Sequence, residues 1–136
     1  MNDYKTVVLG ATTNPQRYAY RAVEQLQEHG IETIPVGIRK GSTAGIPIRN
    51  DRPTIAAVHT ITLYLNAQVQ QEYYDYILSL KPKRVIFNPG TENPELYGLL
   101  KKELPETIIE IACTLVLLSV GSYKTVLNRP ENIKQD

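Results

Sequence analysis

The sequence predicts a three-layer α/β domain with a five-stranded, mainly parallel sheet. Five short β-branched runs recur at intervals of roughly 25 residues, which leaves room between them for one helix and two loops. The first run is almost continuously apolar, as in a central strand that helices cover on both faces. The runs occupy residues 6–9, 33–36, 58–63, 85–87 and 107–111.

Two amphipathic patterns and one capping signal predict the helices between these runs. Residues 18–29 place apolar side chains at helical spacing, and Gly30 is typical of a C-terminal stop. Residues 69–80 carry a second apolar stripe that ends before a proline. Asn93 followed by Pro94 is typical of an N-cap and the first position of a third helix.

The remaining segments are expected to lie outside the central sheet. Residues 40–54 contain several glycines and prolines and predict a loop, with at most a short extended piece at residues 46–48. Residues 122–136 are polar, and we expect them to form a loosely attached tail. The predicted domain therefore spans residues 1–121.

Composition excludes several classes of protein. The 136 residues include 15 Lys and Arg against 14 Asp and Glu, and a net charge of +1 gives no electrostatic case for nucleic-acid binding. A single cysteine cannot form an intrachain disulfide, and no apolar run approaches the ~20 residues of a membrane span. The N-terminal residues do not resemble a secretory signal. A cytoplasmic protein without a membrane partner is expected.

The loop after the first run is the first candidate binding site. Ligands of this fold class bind beyond the carboxyl ends of the strands, where the strand order reverses. Gly10 permits a sharp turn and close approach of backbone N–H groups, and the following helix start suits a phosphate. The loop lacks the second and third glycines of the dinucleotide fingerprint. Its candidate residues are Gly10, Ala11, Thr12 and Thr13.

Basic residues follow the second run, where NAD-binding domains usually place an acid. Val36, which ends this run, is a candidate site residue, and Arg39 and Lys40 come three and four residues after it. Two cations at this point favour a ligand with a phosphate on its ribose. Coenzyme A, with a 3′-phosphate, and NADP, with a 2′-phosphate, both qualify. Arg17 and Arg21, near the start of the first helix, are able to add charge on the same side.

The catalytic candidates are few. His29 ends the first predicted helix and His59 lies inside the third run, and neither has a serine or cysteine partner at a readable spacing. Two histidines are fewer than the three or four protein ligands that a zinc site usually requires. Cys113 follows the fifth run, and we expect a buried, unreactive thiol. The sequence therefore predicts no catalytic residues and no metal, which favours a protein that is not itself an enzyme.

These residues together resemble the small stand-alone CoA-binding proteins, which are similar to the Rossmann-like CoA-binding domain of succinyl-CoA synthetase alpha subunits. The resemblance covers roughly residues 5–117. Its most specific stretch is residues 8–17, where the family shows a hydrophobic strand, Gly-Ala-Ser and then Asn/Asp-x-x-Arg. Residues 88–90, Asn-Pro-Gly, resemble the family's Gln-Pro-Gly-like turn, and Cys113 corresponds to a cysteine after the last strand.

The resemblance implies a coenzyme A ligand and a set of contacts for it. The glycine loop would cradle the ligand, and Arg39 or Lys40 would meet a phosphate. The family usually has Asn-Pro-Lys after the second strand, whereas this chain has Gly-Ile-Arg-Lys. The rest of the site would be lined by the end of the third strand and by the turn after the fourth, namely Thr62, Leu63, Tyr64, Asn88, Pro89 and Gly90.

Three functions remain open at this point. The first is a non-catalytic protein that binds coenzyme A or acyl-CoA. The second is a small NADP-binding, reductase-like subunit that uses the same cations for the 2′-phosphate. The third is a protein-interaction module without a ligand, for which Tyr73, Tyr74 and Tyr76 on one helix offer an interface. Self-association into a homo-oligomer is also left open.

Overall fold

The sheet confirms the predicted α/β class. The computed structural model describes residues 3–124 and contains five parallel strands in the order β2-β1-β5-β6-β7, with a separate two-stranded hairpin formed by β3 and β4. In chain order the strands are β1 (Thr6–Leu9), β2 (Thr33–Val36), β3 (Ser42–Thr43), β4 (Ile46–Pro47), β5 (Thr60–Leu63), β6 (Arg84–Phe87) and β7 (Ile108–Ile111).

Helices connect the strands. They are α1 (Tyr18–Glu28), α2 (Ala67–Gln70), α3 (Tyr74–Leu80), α4 (Pro94–Glu103) and α5 (Thr114–Ser119). The N-cap predicted for α4 is confirmed, because Asn93 Oδ1 accepts a hydrogen bond from the Leu96 N–H at 3.2 Å. None of the helices within residues 3–124 combines the length and the apolar character that crossing a bilayer requires.

The helix predicted over residues 69–80 is interrupted. A 3₁₀ turn at Gln71–Tyr73 separates α2 from α3, and the backbone of Tyr73 (φ −110°, ψ 3°) lies outside the α region. Tyr73 and Tyr76 are nevertheless both buried in the core, as their spacing on the predicted apolar stripe indicates. The Tyr74 hydroxyl donates to Glu95 Oε1 at 2.8 Å. The tyrosine cluster considered as an interface therefore packs mainly inside the domain.

The core has two halves because successive side chains of a strand point to opposite faces of the sheet. Val7 and Leu9 of β1 pack with the helices α3 and α4. Val8, between them in sequence, packs on the other face with α1 and α5. The strand β1 is fully buried, as the continuous apolar run predicts. This sandwich places the carboxyl ends of β1 and β5 side by side at one edge.

The segment predicted to be a loop contains the short hairpin β3–β4. The extended piece expected at residues 46–48 is present as β4, and Arg49 forms an isolated parallel bridge with Val36. Asn50 Nδ2 then donates to the carbonyl oxygens of Gly37 (2.7 Å) and Arg39 (2.9 Å). The hairpin therefore returns the chain to the end of β2 and fixes the loop that carries Arg39.

The first residues of the expected tail belong to the packed domain. Tyr123 is 2% exposed, and its hydroxyl lies 2.7 Å from Thr6 Oγ1. Arg84 Nη1 donates to the Tyr123 carbonyl at 3.0 Å, and its guanidinium carbon lies 4.2 Å from the centroid of the Tyr123 ring. The Tyr123 side chain therefore anchors residues 122–124 to the domain, next to the boundary predicted after residue 121. Residues 125–136 of the expected tail lie outside the described part of the chain.

A buried ion pair holds this edge of the sheet. Arg84 is fully buried at the start of β6, where its Nη1 lies 3.3 Å from Glu110 Oε1 and its Nε donates to Thr60 Oγ1 at 2.9 Å. Burial lowers the pKa of Arg84 from its ordinary value, although the guanidinium remains charged. The cluster lies at the amino ends of the strands, at the opposite edge from the predicted ligand site.

We expect Tyr123→Ala to lower the free energy of unfolding by about 3–5 kcal/mol, because it removes a buried aromatic ring and leaves a cavity. Urea denaturation followed by circular dichroism measures the change. Tyr18→Ala is the matched control, since Tyr18 is 66% exposed and its loss should change stability by about 0.5 kcal/mol or less. Equal effects of the two substitutions would contradict the packing of residues 122–124.

Candidate functional site

A cleft opens where the strand order reverses. The strand β1 pairs with β2 on one side and with β5 on the other, so the loops that follow β1 and β5 diverge at the carboxyl edge of the sheet. The cleft between these loops has a volume of about 660 Å³. Half of the predicted site residues line it, namely Gly10, Ala11, Thr12, Thr13, Arg17, Arg39 and Tyr64.

Gly10 is required by close packing at this crossing. Its φ is +100°, and a Cβ atom there would lie 2.9 Å from Leu65 Cδ2 and 3.0 Å from the carbonyl carbon of Tyr64. The Gly10 and Ala11 N–H groups both donate to the Val36 carbonyl, at 2.9 and 3.1 Å. Gly10 and Ala11 line the cleft, but β2 already uses these two N–H groups.

The next two residues of the loop carry the donors that face the cleft. Within residues 3–124, no protein group accepts a hydrogen bond from the N–H of Thr12 or Thr13. The loop is shaped by its own side chains, since Thr12 Oγ1 accepts from the Asn14 N–H at 3.2 Å. No side chain caps the helix α1 at its N-cap residue Arg17. The loop therefore presents a partially positive surface of unpaired N–H groups.

Two arginines add full charges to the cleft. Arg17 comes from the start of α1 and Arg39 from the loop after β2, and both line it. Lys40, the second cation predicted for the site, is exposed and does not line the cleft, because the loop that Asn50 fixes directs Arg39 there instead. Glu72 is the acidic side chain on the opposite wall. Cations therefore outnumber acids among the residues that line the cleft.

Apolar residues that the sequence analysis did not single out complete the cleft. Leu65, Val69 and Tyr73 line the wall supplied by the chain after β5, and Ile38 lines the wall beside Arg39. Ile38 is 81% exposed. Ile38 lies between Gly37 and the cations Arg39 and Lys40. A large apolar residue in such a loop is a sequence signal for a position that faces a ligand. Tyr73 belongs to the apolar stripe predicted over residues 69–80, which indicates burial but not that the residue borders a cleft.

The cleft continues along the carboxyl edge of the sheet. A cavity of about 350 Å³ shares Gly10, Arg17 and Tyr64 with the cleft and adds Pro89 and Gly90 from the turn after β6. The third cavity, of about 210 Å³, shares Tyr64 and Pro89 with the second and extends to the loop after β7. We call these three adjoining cavities the groove. Pro89 and Gly90 thus line the groove as predicted.

Four predicted site residues are buried within the fold. Val36 and Leu63 belong to the hydrophobic core. Thr62 is fully buried. Asn88 is 2% exposed: its Nδ2 donates to Thr62 Oγ1 (2.7 Å) and the Leu63 carbonyl (2.8 Å), and its Oδ1 accepts from the Thr114 N–H (2.8 Å). Asn88 joins β5, β6 and α5 through both of its amide atoms, and it also lines the third cavity.

The catalytic candidates are distributed apart from one another. His59 precedes β5 at the opposite edge of the sheet, where burial, with nearby Arg84 and Lys83, lowers its pKa to about 4. His29 is exposed after α1. Cys113 is half-buried and lines the third cavity, so the expectation of a buried thiol is wrong. Within residues 3–124, no three His, Cys, Asp or Glu residues are grouped to hold a metal ion.

Comparisons with known proteins identify relatives of this chain. A protein-family model described as a CoA binding domain matches residues 4–119. The crystal structure of an uncharacterized protein is 54% identical in sequence, with a TM-score of 0.85 over 90% of this chain and 100% of that one. A hypothetical protein from Pyrococcus horikoshii OT3 shares the fold at 22% identity, with a TM-score of 0.67 over 90% of this chain and 83% of that one. A protein from Thermus thermophilus shares the fold at 21% identity, with a TM-score of 0.71 over 90% of this chain and 100% of that one. No curated protein shows significant similarity to the chain.

We expect Gly10→Ala to lower the free energy of unfolding by about 2–4 kcal/mol, because it combines an unfavourable positive φ with overpacking against Leu65. Chemical denaturation measures the effect. Gly98→Ala is the control, since Gly98 lies in α4 and a Cβ atom there would meet open space. This substitution should raise the free energy of unfolding by about 0.5–1 kcal/mol. A Gly10 variant as stable as the original protein would show that the loops do not cross as described.

Proposed function

Because this chain belongs to the CoA binding domain family, we propose that its groove binds coenzyme A and that binding, rather than catalysis, is the role of the domain. The observation that carries the proposal is that Arg17 and Arg39 face one cleft at the reversal of strand order. The cleft volume of about 660 Å³ lies within the range of small-molecule and cofactor sites, roughly 300–1,000 Å³.

The charged part of the groove suits the nucleotide half of the ligand. The unpaired N–H groups of Thr12 and Thr13 and the guanidinium of Arg17 are suited to the diphosphate. Arg39 lines the same cleft from the loop after β2 and is the group assigned to the 3′-phosphate. Glu72 on the opposite wall disfavours a phosphate there, which leaves the arginine side for the charged groups.

The apolar wall of the cleft suits the adenine ring. Ile38, Val69 and Tyr73 supply apolar and aromatic surface beside the arginines. Exposed Ile38 loses contact with water only when a ligand covers it, so burial of this side chain contributes to affinity. The Tyr73 ring is held in place by Arg52, whose guanidinium carbon lies 4.0 Å from the ring centroid.

The remaining groove suits the pantetheine arm. Beyond Arg17, the described lining of the second and third cavities contains no charged side chain. Tyr64 lines all three cavities and so forms a continuous wall from the cleft to the far end. A chain of amide and methylene groups fits such a lining better than a second charged group does.

The cation pair also leaves an alternative ligand to be tested. Arg39 is equally able to pair with the 2′-phosphate of NADP, since both phosphates lie on an adenosine ribose. The family membership favours coenzyme A, and no residue in the groove distinguishes the two phosphates by charge alone. The titration below therefore includes NADPH as a competing ligand.

We expect coenzyme A to bind about 5- to 10-fold more tightly than dephospho-CoA, because only the former offers Arg39 a ribose phosphate. Isothermal titration calorimetry measures both affinities. Arg39→Ala should make the two ligands equal, whereas Lys40→Ala, a control on the neighbouring exposed cation, should leave the ratio intact.

Two results of this titration would contradict the proposal. Equal affinities for coenzyme A and dephospho-CoA in the unmodified protein would remove the role of Arg39. Binding of NADPH at least as tight as that of coenzyme A would favour the NADP alternative.

A further inference from the structure

We propose that the third cavity of the groove is an acyl pocket that favours short, uncharged acyl thioesters of coenzyme A over the free thiol. The inference rests on the proposed binding of coenzyme A and adds the class of ligand that the site selects. The pocket is lined by Tyr18, Tyr64, Asn88, Pro89, Cys113 and Leu115.

The charges at the other end of the groove set the direction of the ligand. Arg17 and Arg39 line the cleft, and neither lines the third cavity. A nucleotide held by these arginines must therefore extend its pantetheine arm away from Arg39. The turn of Pro89 and Gly90 lines the path, and Tyr18, Tyr64 and Pro89 line both the second and the third cavities. The sulfur end of the ligand is thus directed toward the loop after β7.

The lining of the third cavity offers almost no polar group to a ligand. Its amide-bearing residue, Asn88, uses both amide atoms within the protein. Burial raises the pKa of the Tyr64 hydroxyl, which lies beside Thr62 and Thr114. Arg21 approaches the Tyr18 ring, with its guanidinium carbon 6.0 Å from the centroid, but does not line the cavity. The surface presented to the ligand is therefore that of aromatic rings, Pro89, Leu115 and the half-buried Cys113.

The size of the cavity limits the acyl group. Its volume of about 210 Å³ is several times the ~30 Å³ that one water molecule occupies in the liquid. A chain of a few carbons fits this space together with the sulfur. An alkyl group gains affinity there because it loses its contact with water. A carboxylate of the same length loses its hydration and finds no cation to replace it.

The test compares four ligands by calorimetry on the full chain, with a reducing agent that keeps Cys113 and free coenzyme A as thiols. The ligands are coenzyme A, acetyl-CoA, butyryl-CoA and succinyl-CoA. Each buried methylene group strengthens binding by about fourfold, so we expect butyryl-CoA, with two more methylene groups, to bind about 15-fold more tightly than acetyl-CoA. Succinyl-CoA, which has the same number of acyl carbons but ends in a carboxylate, should bind at least about tenfold more weakly than butyryl-CoA.

The outcomes separate the two proposals. If coenzyme A binds but acetyl-, butyryl- and succinyl-CoA have equal affinities, the acyl pocket is refuted and the proposed function stands. If none of the four ligands binds, the proposed function itself is refuted, and the pocket with it. A preference for succinyl-CoA over butyryl-CoA would also overturn the assignment, because it requires a cation at the end of the groove.

Two variants locate the preference in this cavity. Leu115→Phe fills the space and should reduce the ratio of butyryl-CoA to acetyl-CoA affinity from about 15-fold to below about threefold. Val116→Phe is the matched control: it adds the same ring one position further along α5, at a side chain that is 54% exposed and does not line the cavity. It should leave the ratio unchanged. Tyr18→Ala removes the exposed wall of the pocket and should lower the ratio of butyryl-CoA to acetyl-CoA affinity. Because Tyr18 is exposed, this substitution should leave the packing of the core unchanged.

An unchanged ratio in both Leu115→Phe and Tyr18→Ala would place the acyl group elsewhere and overturn the inference. Circular dichroism spectra of each variant establish that the comparison is made between folded proteins.

Discussion

The parallel pairing of β1 with both β2 and β5 is the constraint on which the rest of the structure depends. The chain after β1 enters α1 on one face of the sheet and the chain after β5 leads to α3 on the other face, and the two loops pack closely at Gly10. The loops lie so close together that a Cβ atom at Gly10 would overlap Leu65. The carbonyl of Val36 holds the loop after β1 by accepting hydrogen bonds from the Gly10 and Ala11 N–H groups. The groove is the space that this crossing leaves above the sheet.

Charge and polarity then vary along the groove from one end to the other. The cations at Arg17 and Arg39 lie at the end nearest β2, and the uncharged lining lies at the end nearest β7. A long ligand with a phosphorylated head and an apolar tail matches this gradient. The buried pair of Arg84 and Glu110 lies at the amino ends of the strands, where it joins β6 and β7 and takes no part in the groove.

The sequence patterns of neighbouring residues predict most strands and helices of the fold. They do not predict how deeply a residue is buried or which distant residues it contacts. The β-branched runs and the Asn93–Pro94 cap are properties of neighbouring residues, and the structure confirms them. The same runs do not reveal how deeply the ends of β2 and β5 are buried, and Val36, Thr62 and Leu63, predicted as site residues, are all buried. The polar composition of residues 122–136 likewise does not predict that Tyr123 packs on Arg84, a residue distant in sequence.

The most direct test of the account is a titration of ¹⁵N-labelled protein with coenzyme A, followed by backbone amide chemical shifts. We expect the largest shifts at Thr12, Thr13, Arg39 and Gly90, which belong to three separate loops and line the groove. Saturable shifts concentrated at the opposite edge of the sheet, around His59 and Tyr123, or no saturable shift at all, would contradict it.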